Sequence, residues 1–138
     1  MYNSIFKKIE YYLYNYERIE IKIENLKANI LDYEYNQGYT RWIKNKSSSL
    51  EDQVIRNVNL ERKILQMKKW KCLITKILED YKLKDKIKYR FINLKYLKKY
   101  SIEKIEKVLD IGVKEQKEMQ RRILEHIFCV AKEKDILK

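Results

Sequence analysis

Between Lys114 and Arg122 the chain reads KEQKEMQRR, nine residues that include two lysines, two glutamines and two arginines. These side chains can bond the edges of bases in a major groove. Glutamine matches adenine and arginine matches guanine, each through a pair of hydrogen bonds. A helix that buries Met119, Ile123 and Ile127 exposes Lys114, Gln116, Lys117, Gln120, Arg121 and Arg122 on its opposite face. Lys98, Lys99 and Lys104 lie upstream and are placed to touch phosphates, which fixes position without reading sequence. Any one of these residues taken singly is more often part of an ordinary solvated face, because surface lysines are common.

Other chemistry is sparse. Cys72 and Cys129 have neither CxxC spacing nor a nearby histidine, so a metal site is not expected and both are read as reduced, buried thiols. His126 is the single histidine of the chain and reads as an ordinary helix residue. No paired-carboxylate, nucleophile or phosphate-loop pattern stands out, and two glycines cannot build a phosphate cradle. An enzyme is not expected, nor is a cofactor. No run of about 18 uncharged apolar residues is present and the first residues lack a leader pattern, so a cytoplasmic protein that does not enter membranes is expected.

The net charge of +12 comes from 32 basic and 20 acidic residues. It is uneven: residues 1–46 carry 8 basic and 6 acidic side chains, residues 47–81 carry 7 and 5, and residues 82–138 carry 17 and 9. A basic segment joined to a nearly neutral one points to a polyanion, nucleic acid before anionic membrane. Lysine in excess of arginine, with much isoleucine, asparagine and tyrosine, is also what an AT-rich genome encodes, which discounts the argument.

The elements that must position these residues are helices. Ile9, Tyr12, Tyr16, Ile19, Ile23, Leu26, Ile30 and Tyr33 recur three and four apart, a heptad seam that predicts one helix from about Tyr2 to Tyr35. Glu10, Glu17, Lys22 and their neighbours fall on the solvated faces. Asn36, Gln37 and Gly38 read as a stop, and Trp42 would cover the end of the resulting hairpin. Ser48 with Glu51, or Ser49 with Asp52, has capping spacing. The helix opened there carries Leu50, Val54, Val58, Ile64, Leu65, Met67, Ile74, Leu78 and Tyr81 inward. The tyrosines on the seam read as core rather than as stacking platforms for bases.

From Leu83 the units shorten. Ile87, Phe91, Leu94, Tyr96 and Leu97 mark a helix from about Lys84 to Leu97. Ser101 caps a short helix with Ile102, Ile105, Val108 and Leu109 on its apolar face. Asp110 to Val113 makes a turn in which Gly112 supplies the permissive backbone, and a last helix runs from about Lys114. The expected fold is therefore all-α: a long antiparallel hairpin over residues 1–81, then a small three-helix helix-turn-helix domain over residues 82–138.

With these elements in place the chain resembles the RinA and ArpU group of phage late-gene regulators. SSSLEDQVIR is similar to a segment of that group's amino-terminal half. FINLKYLKKYSIEKIEKVLDIGVKEQKEMQRRIL resembles its carboxy-terminal half, itself similar to the domain with which sigma factors read an upstream promoter element. Lys95-Tyr96 and Arg121-Arg122-Ile123-Leu124 match the pattern. Glu106 or Val108 departs from it where a small residue is usual, as do Lys114 and Lys117 where serine or threonine usually opens the last helix. The resemblance implies binding of double-stranded DNA and activation of late or packaging genes. The alternative is a helical interaction factor that binds RNA polymerase or another protein without reading DNA. The first seam serves either the second helix alone or also a second copy, which would make a homodimer.

Overall fold

The computed structural model describes residues 2–30 and 50–136, which are helical apart from short connections. Tyr33, Gly38, Trp42 and the caps at Ser48 and Ser49 lie outside the described residues. The expected continuous first helix does not form. Helix α1 spans Tyr2–Tyr14, a 3-10 turn follows at Tyr16–Arg18, and helix resumes as α2 over residues 19–30. Asn15 accounts for the interruption: its side-chain amide donates to the Tyr11 carbonyl at 2.7 Å, the same carbonyl its backbone N–H reaches at 3.0 Å. Short amide side chains compete in this way with the helical ladder.

Helix α3 spans Leu50–Lys84. Asp85 then caps α4, Lys86–Ile92, by accepting from the Lys88 N–H. The segment expected as one helix to Leu97 is thus split, and it ends in a π-helical turn at Asn93–Leu97. Lys98 N donates there to Asn93 O at 2.9 Å, and Lys99 exits with φ 57. Helix α5, Ile102–Leu109, is capped by Ser101 as its spacing predicts, with the Lys104 N–H donating to Ser101 Oγ at 3.2 Å.

Three residues separate α5 from α6, Val113–Glu133. The left-handed position in this turn belongs to Asp110, φ 56, and not to Gly112, whose φ of −67 and ψ of 167 suit any residue. Helix α6 closes with Asp135 at φ 60. The Asp135 N–H donates to Lys132 O, and the Ile136 N–H to Ala131 O. This Schellman pairing folds the apolar Ile136 inward.

The chain divides into two compact units, Met1–Glu17 with Lys69–Lys138, and Arg18–Lys68. The boundary expected between residues 81 and 82 lies inside the first of them, because the second half of α3 and all of α1 pack with the later helices. Ile9, Leu13, Trp70, Leu73, Phe91, Ile123 and Ile127 are buried in that core, and Tyr12 stacks on Trp70 with ring centres 5.1 Å apart. Tyr16 Oη lies 2.6 Å from Thr75 Oγ1, and Tyr81 Oη lies 2.6 Å from His126 Nδ1. In the other unit Ile19, Ile23, Ile64 and Met67 are buried, whereas Val58 and Leu65, expected inward, are exposed. A helix buries one stripe, and with Ile64 and Met67 on it Leu65 points about 100° away. No helix among the described residues is long and apolar enough to cross a membrane.

Candidate nucleic-acid interface

The interface candidate is assembled from α5, its turn and α6. Two of the residues expected to face outward are held by the protein itself. Gln116 is 4% exposed, and its amide nitrogen donates to the carbonyls of Ile102 at 3.1 Å and Ile111 at 3.0 Å. It therefore clamps the start of α5 to the turn and is withdrawn from the exposed face, against expectation. Gln120 is half-buried and donates at 3.1 Å to Glu10 Oε2.

Glu10 was expected on a solvated face of the first helix. It also accepts from the hydroxyl of the fully buried Tyr96 at 3.1 Å, so one carboxylate joins α1, the π-helical turn and α6. Burial, followed by the nearby Glu10 carboxylate, raises the Tyr96 phenol far above its ordinary range. Tyr14 packs edge-on against the Tyr96 ring, with centres 4.7 Å apart. No short-range pattern announces this cluster, since Glu10 and Gln120 lie 110 positions apart.

The remaining expected residues are exposed. Lys114 and Lys117 are exposed near the start of α6, and among the described residues neither has a carboxylate within ion-pair distance. Arg121 and Arg122 are exposed but engaged. Glu118 accepts from both, reaching Arg121 Nη2 through a short contact and Arg122 Nε at 3.2 Å, and Arg121 Nη1 also donates to Glu125 at 2.8 Å. Hydrogen bonding from Arg121, with Arg122 behind it, holds the Glu118 carboxyl below its usual range. The same glutamate, followed by Glu125, raises Arg121 further.

Lys98, Lys99 and Lys104 are all exposed around the start of α5. Lys104 Nζ sits 4.0 Å from the centre of the Tyr100 ring, and Lys98 Nζ lies over the same ring at 6.0 Å. Cation–ring contacts of this kind orient an ammonium group without neutralising it. Cys72 and Cys129 are free thiols and both exposed, contrary to the buried placement expected. Among the described residues no three His, Cys, Asp or Glu side chains converge in a way that could hold a metal ion.

The chain matches no known protein-family model, no curated protein and no solved structure.

Proposed function

We propose that the chain is a DNA-binding transcriptional regulator in which α5, the three-residue turn and α6 act as a helix-turn-helix on double-stranded DNA. The observation that carries this reading is the pair Lys114 and Lys117, exposed and without an ion-pair partner among the described residues, directly after the turn. Lys98, Lys99 and Lys104 supply exposed cations on the approach to α5, where phosphate contacts would set the register. The resemblance to the RinA and ArpU regulators adds the expectation of a phage-type activator of late or packaging genes.

The test is binding of the full chain to mixed-sequence duplex DNA across a salt series. Affinity should fall steeply with salt, because each neutralised phosphate releases counterions. Lys114→Ala with Lys117→Ala should weaken binding about tenfold or more. A chain that retains no duplex at low salt removes this reading.

A second reading, a helical factor that captures a protein such as RNA polymerase, is favoured by the Arg18–Lys68 unit. Ile21, Ile55 and Leu65 are each more than half exposed there, and a cleft of about 480 Å³ is lined by Lys27, Ile30, Glu61, Ile64, Leu65 and Lys68. Leu65→Lys separates the two: it should abolish protein capture under this reading and leave DNA affinity intact under the first.

A further inference from the structure

A cleft of about 520 Å³ lies between α4 and the outer face of α6. Its lining combines Lys88 from α4 with Lys114, Glu115, Glu118, Met119 and Arg122 from α6. Three of these six side chains are cations, and they come from two separate elements. The Glu118 carboxylate shares the cleft and accepts hydrogen bonds from Arg121 and Arg122 together. That is how a phosphate oxygen engages guanidinium groups: charge-assisted bonds on one anionic centre.

We propose that this cleft is a seat for one phosphodiester of a DNA backbone, formed by Lys88, Lys114 and Arg122, and that Glu118, which holds Arg122 at 3.2 Å, gives it up when DNA binds. The inference rests on the reading that α6 faces DNA, and it adds α4 to the interface through a lysine that the sequence pattern does not mark. Lys88 is held in position by two contacts. Its ammonium lies 3.6 Å from Asp85 Oδ2 and 5.5 Å from the centre of the Tyr81 ring. The Asp85 pair is longer than the Glu118 contacts, and Asp85 also caps α4 through the Lys88 N–H. Lys88 therefore remains able to turn toward a stronger anion.

Glu118 works against binding in this arrangement. With Glu118 on both arginines and Glu125 also on Arg121, two carboxylates offset two guanidinium groups in the middle of the α6 face, and Glu115 adds another carboxylate to the cleft lining, so an incoming phosphate must compete with anions already there. Exposed ion pairs of this kind contribute little to stability, so releasing Glu118 leaves the fold intact and frees Arg122 for DNA, while Arg121 keeps its bond to Glu125.

The experiment measures duplex affinity of the full chain by fluorescence anisotropy across a salt series, for the wild type, Lys88→Gln, Lys88→Arg and Glu118→Gln. Lys88→Gln should weaken binding several-fold at low salt and flatten the log–log salt slope by about one unit. Lys88→Arg should restore both. Glu118→Gln should bind several-fold tighter with a steeper slope. Wild-type affinity and slope in Lys88→Gln, or weaker binding by Glu118→Gln, overturns the seat even where Lys114 and Lys117 prove essential. If Lys88→Gln loses helicity, Glu118→Gln on the exposed face decides alone. Absence of any duplex binding by the wild type instead overturns the DNA reading and the seat with it. Vesicles of phosphatidylcholine with phosphatidylglycerol form the last arm, and capture there with the same Lys88 dependence, without duplex binding, assigns the seat to a membrane and overturns the DNA assignment.

Discussion

Asp110 and Gly112 stand two positions apart in the turn, and each occupies the conformation better suited to the other. Asp110 holds φ 56, where a side chain costs energy and glycine does not. Gly112 sits in ordinary extended backbone, with open space where a Cβ would go. Asp110→Gly, which removes the side chain from a left-handed position, and Gly112→Ser, which gives the N-cap of α6 a hydroxyl acceptor, should therefore each stabilise the chain, by up to about 1 kcal/mol and by a few tenths of a kcal/mol respectively, read as higher melting midpoints by circular dichroism. A lower midpoint for Gly112→Ser contradicts this account of the turn. Gln116→Ala should act in the opposite direction, by about 1–3 kcal/mol, because two carbonyls lose a buried donor. An unchanged midpoint would show that the clamp contributes nothing. Tyrosine ionisation gives a further check. Burial, followed by the nearby Asp85 carboxylate, pushes Tyr81 up to about 12, and Tyr96 is raised in the same direction. A phenol whose folded value exceeds its unfolded value of 10.0 contributes stability below that value and loses it as pH climbs toward the folded one. The native fold should weaken between pH 10 and about 12, and the Tyr96 phenol should stay protonated until helicity falls. Tyrosinate absorbance that reaches its full amplitude while helicity is intact would exclude this.

Among the helices, Glu10 ties three elements with one carboxylate. Glu10→Ala leaves the Tyr96 hydroxyl buried without its acceptor, so it should cost about 1–3 kcal/mol, whereas Glu10→Gln keeps an acceptor and should cost less. Equal midpoints for the two variants would exclude a role for the acceptor. This latch also separates what could be read in the sequence from what could not. Local signals translated well: Ser101 caps α5, Ile105 lies under it, and Ile123 and Ile127 face the core. The seam was legible in part, since Ile9, Tyr12, Ile19 and Ile23 are buried, yet the periodicity passed over the Asn15 break because a heptad count does not weigh one side chain bonding back to its own helix. The withdrawal of Gln116 from the exposed face was hidden for a related reason. A polar residue two turns before Ile123 looks solvated unless the carbonyls it will meet are known, and these belong to Ile102 and Ile111. The cleft beside Lys88 depended on how α4 lies against α6, information carried by packing and by no motif.

For the whole chain, burial is graded along α3. No side chain from Ile55 to Lys63 is buried, whereas from Ile64 to Tyr81 every turn contributes to a core. Local opening follows buried apolar contact, so amide exchange should be slowest around Leu73, Ile74, Ile123 and Ile127 and measurably faster from Ile55 to Lys63. Equal protection along α3 would contradict the gradient. Exposure of the two thiols also affects how a pair of chains is to be recognised. Cys72 on α3 and Cys129 on α6 both face solvent and have no partner sulfur, so air oxidation can link two molecules covalently without any contribution from the helical seam. A doubled mass that disappears on adding dithiothreitol is a product of sulfur chemistry. Only an association that persists in Cys72→Ser with Cys129→Ser reports on the helices, and that variant is the form in which self-association should be weighed.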